Sequence, residues 1–418
     1  MLDRVPLLTK ELAPYEGYAG QEAVDELRKL AEPLKGARVL HVNATAFGGG
    51  VAELLGTVVP LMRDLGLDAE WQVIHGSDDF FNVTKAMHNA LQGADIPWTW
   101  EMQETYLDKL RENAQAFEGE YDFVIMHDPQ PAAILAFLEE GHTNRRNVET
   151  KWIWRCHIDL TDANQQVWEF LRPYVERHDA SVWTMQQFVP ASLGMDRVRI
   201  IPPAIDPTAP KNLPLDRALV DEIVRQYGVD LTRPIMCQVS RFDPWKDPVG
   251  VIEAYRIARK DIEGLQLLLA GSMATDDPEG FHYWDLAEEA RADDPDIHMV
   301  SNIQQVGAVQ INAFQRASDV IVQKSLREGF GLTVAEGLWK SRPVVGGKCG
   351  GITIQIRDGV DGFLVDSIEE CAARSVELLS DPTRADAMGR SGQEHVFGQF
   401  LTTRLIADWL RLFHELSG

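Results

Sequence analysis

The chain has 418 residues, 45% hydrophobic and 25% charged, the balance of an ordinary folded protein with length for two domains. Its 40 Lys and Arg face 64 Asp and Glu, a net charge of −24 that argues against non-specific binding to nucleic acid or anionic lipid. Any anionic substrate then needs a local group of cations.

At the amino end, Asp3, Arg4, Lys10 and Glu11 stand where a secretory signal needs an unbroken apolar core. No run reaches the roughly 18 apolar residues of a membrane span. A cytoplasmic protein without membrane or nucleic-acid partners is expected. From residue 37, apolar runs rich in β-branched residues recur at 37–43, 69–74, 122–126, 151–156, 180–184 and 198–202. They read as buried parallel strands, with helical spacing between them, as in Leu54, Leu55, Val58, Val59 and Met62. Gly48, Gly49 and Gly50 follow the first run and precede a helix, a turn that lets backbone N–H groups approach a phosphate or sugar and serves equally as a tight connection. Asp128 follows the run 122–126 and His157 follows 151–156, at strand ends where structural and ligand-binding roles both occur.

Pro202, Pro203 and Pro207 favour a stiff, extended connection and place an interdomain hinge there. A second series of strands follows at 234–240, 265–270, 297–300, 319–322, 343–346 and 363–365. The fold class is therefore α/β, with two Rossmann-like domains and ligands expected beyond the carboxyl ends of the strands, in a cleft between the domains. The expected division is 1–203 with a carboxyl-terminal helix 394–418, and 204–393. The last stretch, 400–416, sets Leu401, Leu405, Ile406, Trp409, Leu410, Leu412 and Phe413 at helical spacing.

After the first strand of the second half, Arg241 and Lys246 lie in one loop, a fork-shaped donor and a point charge able to neutralise a diphosphate or simply two solvated cations with local Asp partners. Further on, Glu328 precedes Gly329-Phe330-Gly331, and Leu332 and Thr333 open a helix that carries Glu336. Glycines at a helix start allow backbone approach to a phosphate. Each Glu taken alone is more often a surface or capping residue than a ligand. No carboxylate group has metal-binding spacing: Asp276-Asp277 and Asp293-Asp294 read as loop acids. Cys156, Cys237, Cys349 and Cys371 form no C-x-x-C pair, so a reducing compartment fits and a zinc or disulfide framework does not.

The Glu-x₇-Glu spacing around Gly-Phe-Gly-Leu-Thr, after an Arg-x₄-Lys loop, resembles the retaining GT-B glycosyltransferases. Gly346-Gly347 and 358–365 (DGVDGFLV) extend the likeness over essentially the whole chain. The phrases HDPQP, WRCHIDLT, MQQFVP and PPAIDP are similar to the trehalose glycosyltransferring synthases within that group. The resemblance implies an acceptor-binding first domain, a second domain that binds the nucleotide sugar, and transfer of glucose from UDP- or ADP-glucose to glucose with retention, in a reaction that can run backwards. It implies that Arg241 and Lys246 contact the diphosphate, Glu328 the donor sugar and Glu336 the ribose, with Gly331, Leu332 and Thr333 at the phosphate and Gly48 to Gly50 on the donor side. Asp128 then contacts the acceptor, and His157 lies near the reacting carbon. His157, Arg241, Lys246 and Glu328 form the implied catalytic set.

Retention needs a covalent glycosyl-enzyme or departure and attack on one face, and no residue stands out as a nucleophile. The same-face route is expected, with Arg241, Lys246 and the helix start at Gly331 stabilising phosphate charge. No cofactor is obligatory, magnesium entering only as a nucleotide counter-ion, and similar enzymes suggest a homodimer. The nearest rival is a trehalose phosphorylase of the same fold, for which a ribose contact at Glu336 has no purpose. A nicotinamide-dependent oxidoreductase is disfavoured because Gly48-x-Gly50-x-x-Glu53 lacks the third glycine. The remaining rival is a non-catalytic sugar-nucleotide-binding protein.

Overall fold

A computed structural model describes residues 2–140, 149–271 and 278–418. Asp276 and Asp277 lie outside the described residues. The chain divides into two compact units, Met1–Ala204 with Thr402–Gly418, and Ile205–Leu401.

The first unit is built on strands β1 (Asp3–Arg4), β2 (Arg38–Asn43), β3 (Asp68–Val73), β4 (Phe123–His127), β5 (Lys151–Arg155), β6 (Ala180–Trp183) and β7 (Val198–Ile200). Their order is β1-β3-β2-β4-β5-β6-β7, parallel except for the antiparallel edge strand β1. The inner strands are buried on both faces, which is why they appear in the sequence as near-continuous apolar runs. Strand order reverses between β2 and β4, so the connections leaving these two strands diverge and open a crevice at their carboxyl ends. The glycine turn follows β2, and Asp128 follows β4.

Helix Gly49–Asp64 buries Leu55, Val58, Val59 and Met62 against this sheet. The final helix, Thr402–Ser417, adds Leu405, Ile406, Trp409, Leu410 and Phe413 to the same core, and the Phe413 ring stacks on Phe123 at 4.3 Å between centroids. Arg404 fixes its first turn by donating to the carbonyls of Pro202 and Pro203 at 2.7 and 3.0 Å.

The second unit holds β8 (Ile235–Val239), β9 (Gln266–Gly271), β10 (Ile297–Ser301), β11 (Val320–Gln323), β12 (Val344–Gly347) and β13 (Gly362–Val365). All are parallel, in the order β10-β9-β8-β11-β12-β13, with the reversal between β8 and β11. This is the doubly wound nucleotide-binding order. Its core gathers Met236, Val251, Tyr255, Leu267, Leu269, Val320, Val322, Val345 and Phe363.

The boundary at the carboxyl end differs from the expected residue 394. Helix Pro382–Gln399 belongs to the second unit, and the return to the first falls between Leu401 and Thr402. The helix stops because the Phe400 carbonyl accepts the Ile205 N–H at 2.8 Å and Leu401 bridges Ile205. At the front, the first unit extends to Ala204, one residue beyond the expected limit.

Candidate functional site

In the second unit, the site residues leave the two strands that flank the reversal. After β8, the Asp243 carboxylate accepts the N–H groups of Trp245 and Lys246 at 3.0 and 3.1 Å and folds residues 244–246 into a tight turn. Asp247 follows in a left-handed conformation, φ 47°, and caps helix Pro248–Ala258 by accepting the Gly250 N–H at 3.1 Å. Lys324, on the β11 side, donates to Asp247. The Lys246 carbonyl accepts the Gln238 amide at 2.8 Å, and the Leu326 N–H donates to the Trp245 carbonyl at 2.7 Å. These bonds tie the loop after β8 to the loop after β11.

The consequence is a direct ion pair: Lys246 Nζ lies 2.6 Å from Glu328 Oε2, with side chains only 14% and 11% exposed. Ser325 Oγ also donates to Glu328 Oε2, at 3.3 Å. Arg241 is different. Its side chain is 61% exposed and pairs with Asp243 at 3.1 Å, leaving the guanidinium at the surface.

Gly331, at φ 84°, turns the chain into helix Leu332–Trp339, a conformation that favours glycine. The Gln355 amide donates to the Gly331 and Gly351 carbonyls at 3.3 and 3.2 Å, and Gly351 N–H donates to the Glu328 carbonyl at 3.0 Å. Gly351 is required for proximity: a Cβ there would lie 2.5 Å from the Gly329 carbonyl oxygen. Thr333 Oγ1 donates to Gln323 at 3.3 Å, fastening the first helical turn to the end of β11.

Glu336 is fully buried in this helix and pairs with Lys211 at 2.6 Å. Burial pushes its pKa up, but the charges of Lys211 and Lys340, with hydrogen bonds from Lys211 and Gln315, outweigh that and lower it. The structure thus brings Lys246 and Glu328 together, while Glu336 has its own partner. Sequence reasoning missed Lys211: it lies in a proline-flanked stretch without periodicity, and only its position next to the hinge marks it.

In the first unit, Gly48 and Gly49 adopt φ 73° and 76°, and the helix begins at Gly49 with Gly50 in its first turn; all three glycines are exposed. Asp128 has φ 64° and is 9% exposed. Its Oδ1 accepts the His157 N–H at 2.7 Å, so much of its hydrogen bonding is spent on shaping the end of β5. Burial raises the Asp128 pKa to about 7, against the lowering effects of the His157 N–H and of Arg155. Arg155 is itself buried, and its pKa falls to about 10.

His157 is half-buried, with Nε2 2.9 Å from His127 Nδ1. His127 Nε2 in turn lies 3.0 Å from His41 Nδ1. Sequence reading singled out neither partner, although His127 stands beside Asp128 in the quoted phrase. A depression lined by Lys35, Gly36, Asp122 and Lys151 sits at the opposite, amino ends of the first-unit strands, away from all these residues. Among the described residues no group of three His, Cys, Asp or Glu is placed to hold a metal ion, and no helix is long and apolar enough to cross a membrane.

Two doubly wound sheets of this order, each with candidate residues beyond the carboxyl ends of its strands, are the architecture of the GT-B glycosyltransferases, and the comparisons agree. Residues 41–190 match the family described as trehalose synthase, N-terminal domain, and 220–395 match glycosyl transferases group 1. The trehalose synthase of Rubrobacter xylanophilus is 52% identical over 424 residues, covering 100% of both chains. A trehalose phosphorylase of Grifola frondosa is 25% identical, over 97% of this chain and 61% of its own. Among solved structures, the α,α-trehalose-phosphate synthase (UDP-forming) from Burkholderia xenovorans, in complex with glucose-6-phosphate, superposes with a TM-score of 0.69 at 15% identity, over 92% of this chain and 100% of that one. The chain belongs to the trehalose synthase family of glycosyltransferases.

Proposed function

We propose that this glycosyltransferase moves a glucosyl group from UDP- or ADP-glucose to free glucose, forming trehalose with retention and in both directions. The Lys246–Glu328 ion pair carries the reading. A mostly buried lysine at the switch of a nucleotide-binding sheet supplies the charge that a diphosphate leaving group needs. The carboxylate beside it accepts hydrogen bonds from sugar hydroxyls. In the free protein each satisfies the other; with donor bound, Lys246 turns its charge to the phosphates and Glu328 serves the sugar.

Arg241, exposed at the same loop, adds a second cation, and the N–H groups from Gly331 to Thr333 face the phosphates. Glu336 accepts from the ribose while sharing its carboxylate with Lys211. In the first unit, Gly48 to Gly50 approach the donor, His157 contacts the sugar near the reacting carbon, and Asp128 serves the acceptor. With no nucleophile assigned, departure and attack occur on one face, and the leaving phosphate takes the acceptor proton. No cofactor is obligatory in this scheme.

The identity of 52% to a trehalose synthase, against 25% to a phosphorylase, favours this reading over its nearest rival. Incubation with glucose and UDP-glucose, ADP-glucose or glucose 1-phosphate separates them. Trehalose from a nucleotide donor supports the proposal; trehalose from glucose 1-phosphate alone overturns it.

A further inference from the structure

Three neighbouring strands of the first unit each lead to one histidine, and the three side chains form a continuous chain of ring nitrogens. His41 sits within β2, His127 ends β4 and His157 lies two residues past β5. Strand register explains the alignment. His41 pairs with Ile125, and His127 is two residues further along; His127 pairs with Arg155, and His157 is again two further along. An offset of two keeps side chains on one face of a sheet, so the histidines climb diagonally toward the carboxyl ends. Adjacent rings are nearly parallel, 27° for His41 and His127 and 19° for His127 and His157.

The contacts join His41 Nδ1 to His127 Nε2 at 3.0 Å, and His127 Nδ1 to His157 Nε2 at 2.9 Å. All three rings are held neutral: burial lowers His41 to about 3, and burial, reinforced by nearby rings and Arg155, takes His127 and His157 well below the ordinary histidine value. A neutral imidazole has one N–H and one bare nitrogen, so each contact needs a donor on one side and an acceptor on the other. Because each contact joins an Nδ1 to an Nε2, the three rings must share a tautomer. If one carries its proton on Nδ1, so do the others; the same holds for Nε2. The far end, His41 Nε2, is buried without a hydrogen-bond partner beside Trp409; an orphaned buried N–H is rarer than an orphaned acceptor, so this nitrogen is the bare one and the proton sits on Nδ1 in all three rings. The near end, His157 Nδ1, makes no hydrogen bond to a described residue.

We propose that His41 and His127 are positioning residues that lock His157 into a single tautomer, so that a sugar hydroxyl meets a nitrogen of fixed hydrogen-bonding polarity. The benefit to catalysis rests on the reading of His157 as a sugar contact. The lock itself is a property of the free protein. Outer partners of this kind set the tautomer and orientation of a functional imidazole.

The test uses the full chain, labelled with ¹⁵N-histidine, and long-range proton–nitrogen correlation spectra that report the tautomer of each ring. Wild type is expected to show His41, His127 and His157 in one common neutral tautomer. His127→Phe keeps an aromatic ring between His41 and His157 but removes both contacts; His157 then becomes a mixture of tautomers. Equal mixing leaves half the molecules with the required nitrogen, and KM for the donor rises about twofold. His127→Asn, whose amide occupies the Nδ1 position and can donate to His157 Nε2, restores the wild-type spectrum. A purely structural role for His127 would lower the melting temperature while leaving His157 unmixed. Different tautomers in the wild-type rings, or an unmixed His157 in folded His127→Phe, overturn the proposal. His157→Ala with unchanged kinetics sinks the sugar-contact reading and leaves the lock standing.

Discussion

Replacing Lys246 by Ala separates the structural from the chemical role of the Lys246–Glu328 pair. The change removes an ammonium 2.6 Å from a carboxylate that is itself 11% exposed, leaving Glu328 with the single hydrogen bond from Ser325. Stranding a largely buried acceptor in this way costs about 1–3 kcal/mol of stability. For a domain of about 200 residues, each kcal/mol lowers the melting temperature by about 3 °C. Turnover should fall far more, by about 100-fold or beyond, since one charge contact to a developing anion is lost. A double variant, Lys246→Ala with Glu328→Gln, removes the stranded charge as well. It should recover most of the lost stability and none of the activity. Denaturation and steady-state turnover at saturating donor, measured on the single and double variants, decide the matter. Near-wild-type turnover in Lys246→Ala would refute the leaving-group role, and a double variant no more stable than the single would refute the stranded-charge argument.

Asp128 gives a pH signature with a definite sign. Its folded pKa of about 7 exceeds the ordinary 3.8, so the folded state holds a proton that the unfolded chain has already released between those values. Stability contributed by this group therefore falls as pH rises from about 4 to about 7 and is flat above, a loss on the order of 4 kcal/mol. Asp128→Asn keeps an acceptor for the His157 N–H and lacks this dependence, so urea denaturation across that range should show the variant gaining on wild type up to pH 7. Gly351→Ala forces a Cβ against the Gly329 carbonyl; a stability loss of about 1–3 kcal/mol by urea denaturation and reduced turnover are expected, because the Glu328 loop must shift. Phe413→Ala empties the stack on Phe123 and should cost about 3–5 kcal/mol in the same measurement.

The strands were legible because inner parallel strands are buried on both faces and must be apolar throughout. The two-residue edge strand β1 carries no such signal, since both of its residues are exposed. The end of helix Pro382–Gln399 was equally hidden, because it depends on Ile205, almost two hundred residues away, capturing the Phe400 carbonyl. At the site, the loops after β8 and β11 could be marked from Arg241, Lys246, Glu328 and the glycines, all local in sequence. What joins them was not. Lys211 reaches Glu336, Lys324 reaches Asp247, and His41 reaches His127 through tertiary placement or strand register, neither of which a local pattern encodes.

The proposed activity is met most directly by proton NMR of the first product formed from an α-linked nucleoside-diphosphate glucose and free glucose. The proposed retention at the donor carbon, with the α-anomer of glucose as acceptor, predicts the symmetric α,α-linked disaccharide, with a single type of anomeric proton in the α range, released with an equivalent of nucleoside diphosphate. A β-linked first product, or disaccharide formation without release of nucleoside diphosphate, would contradict it.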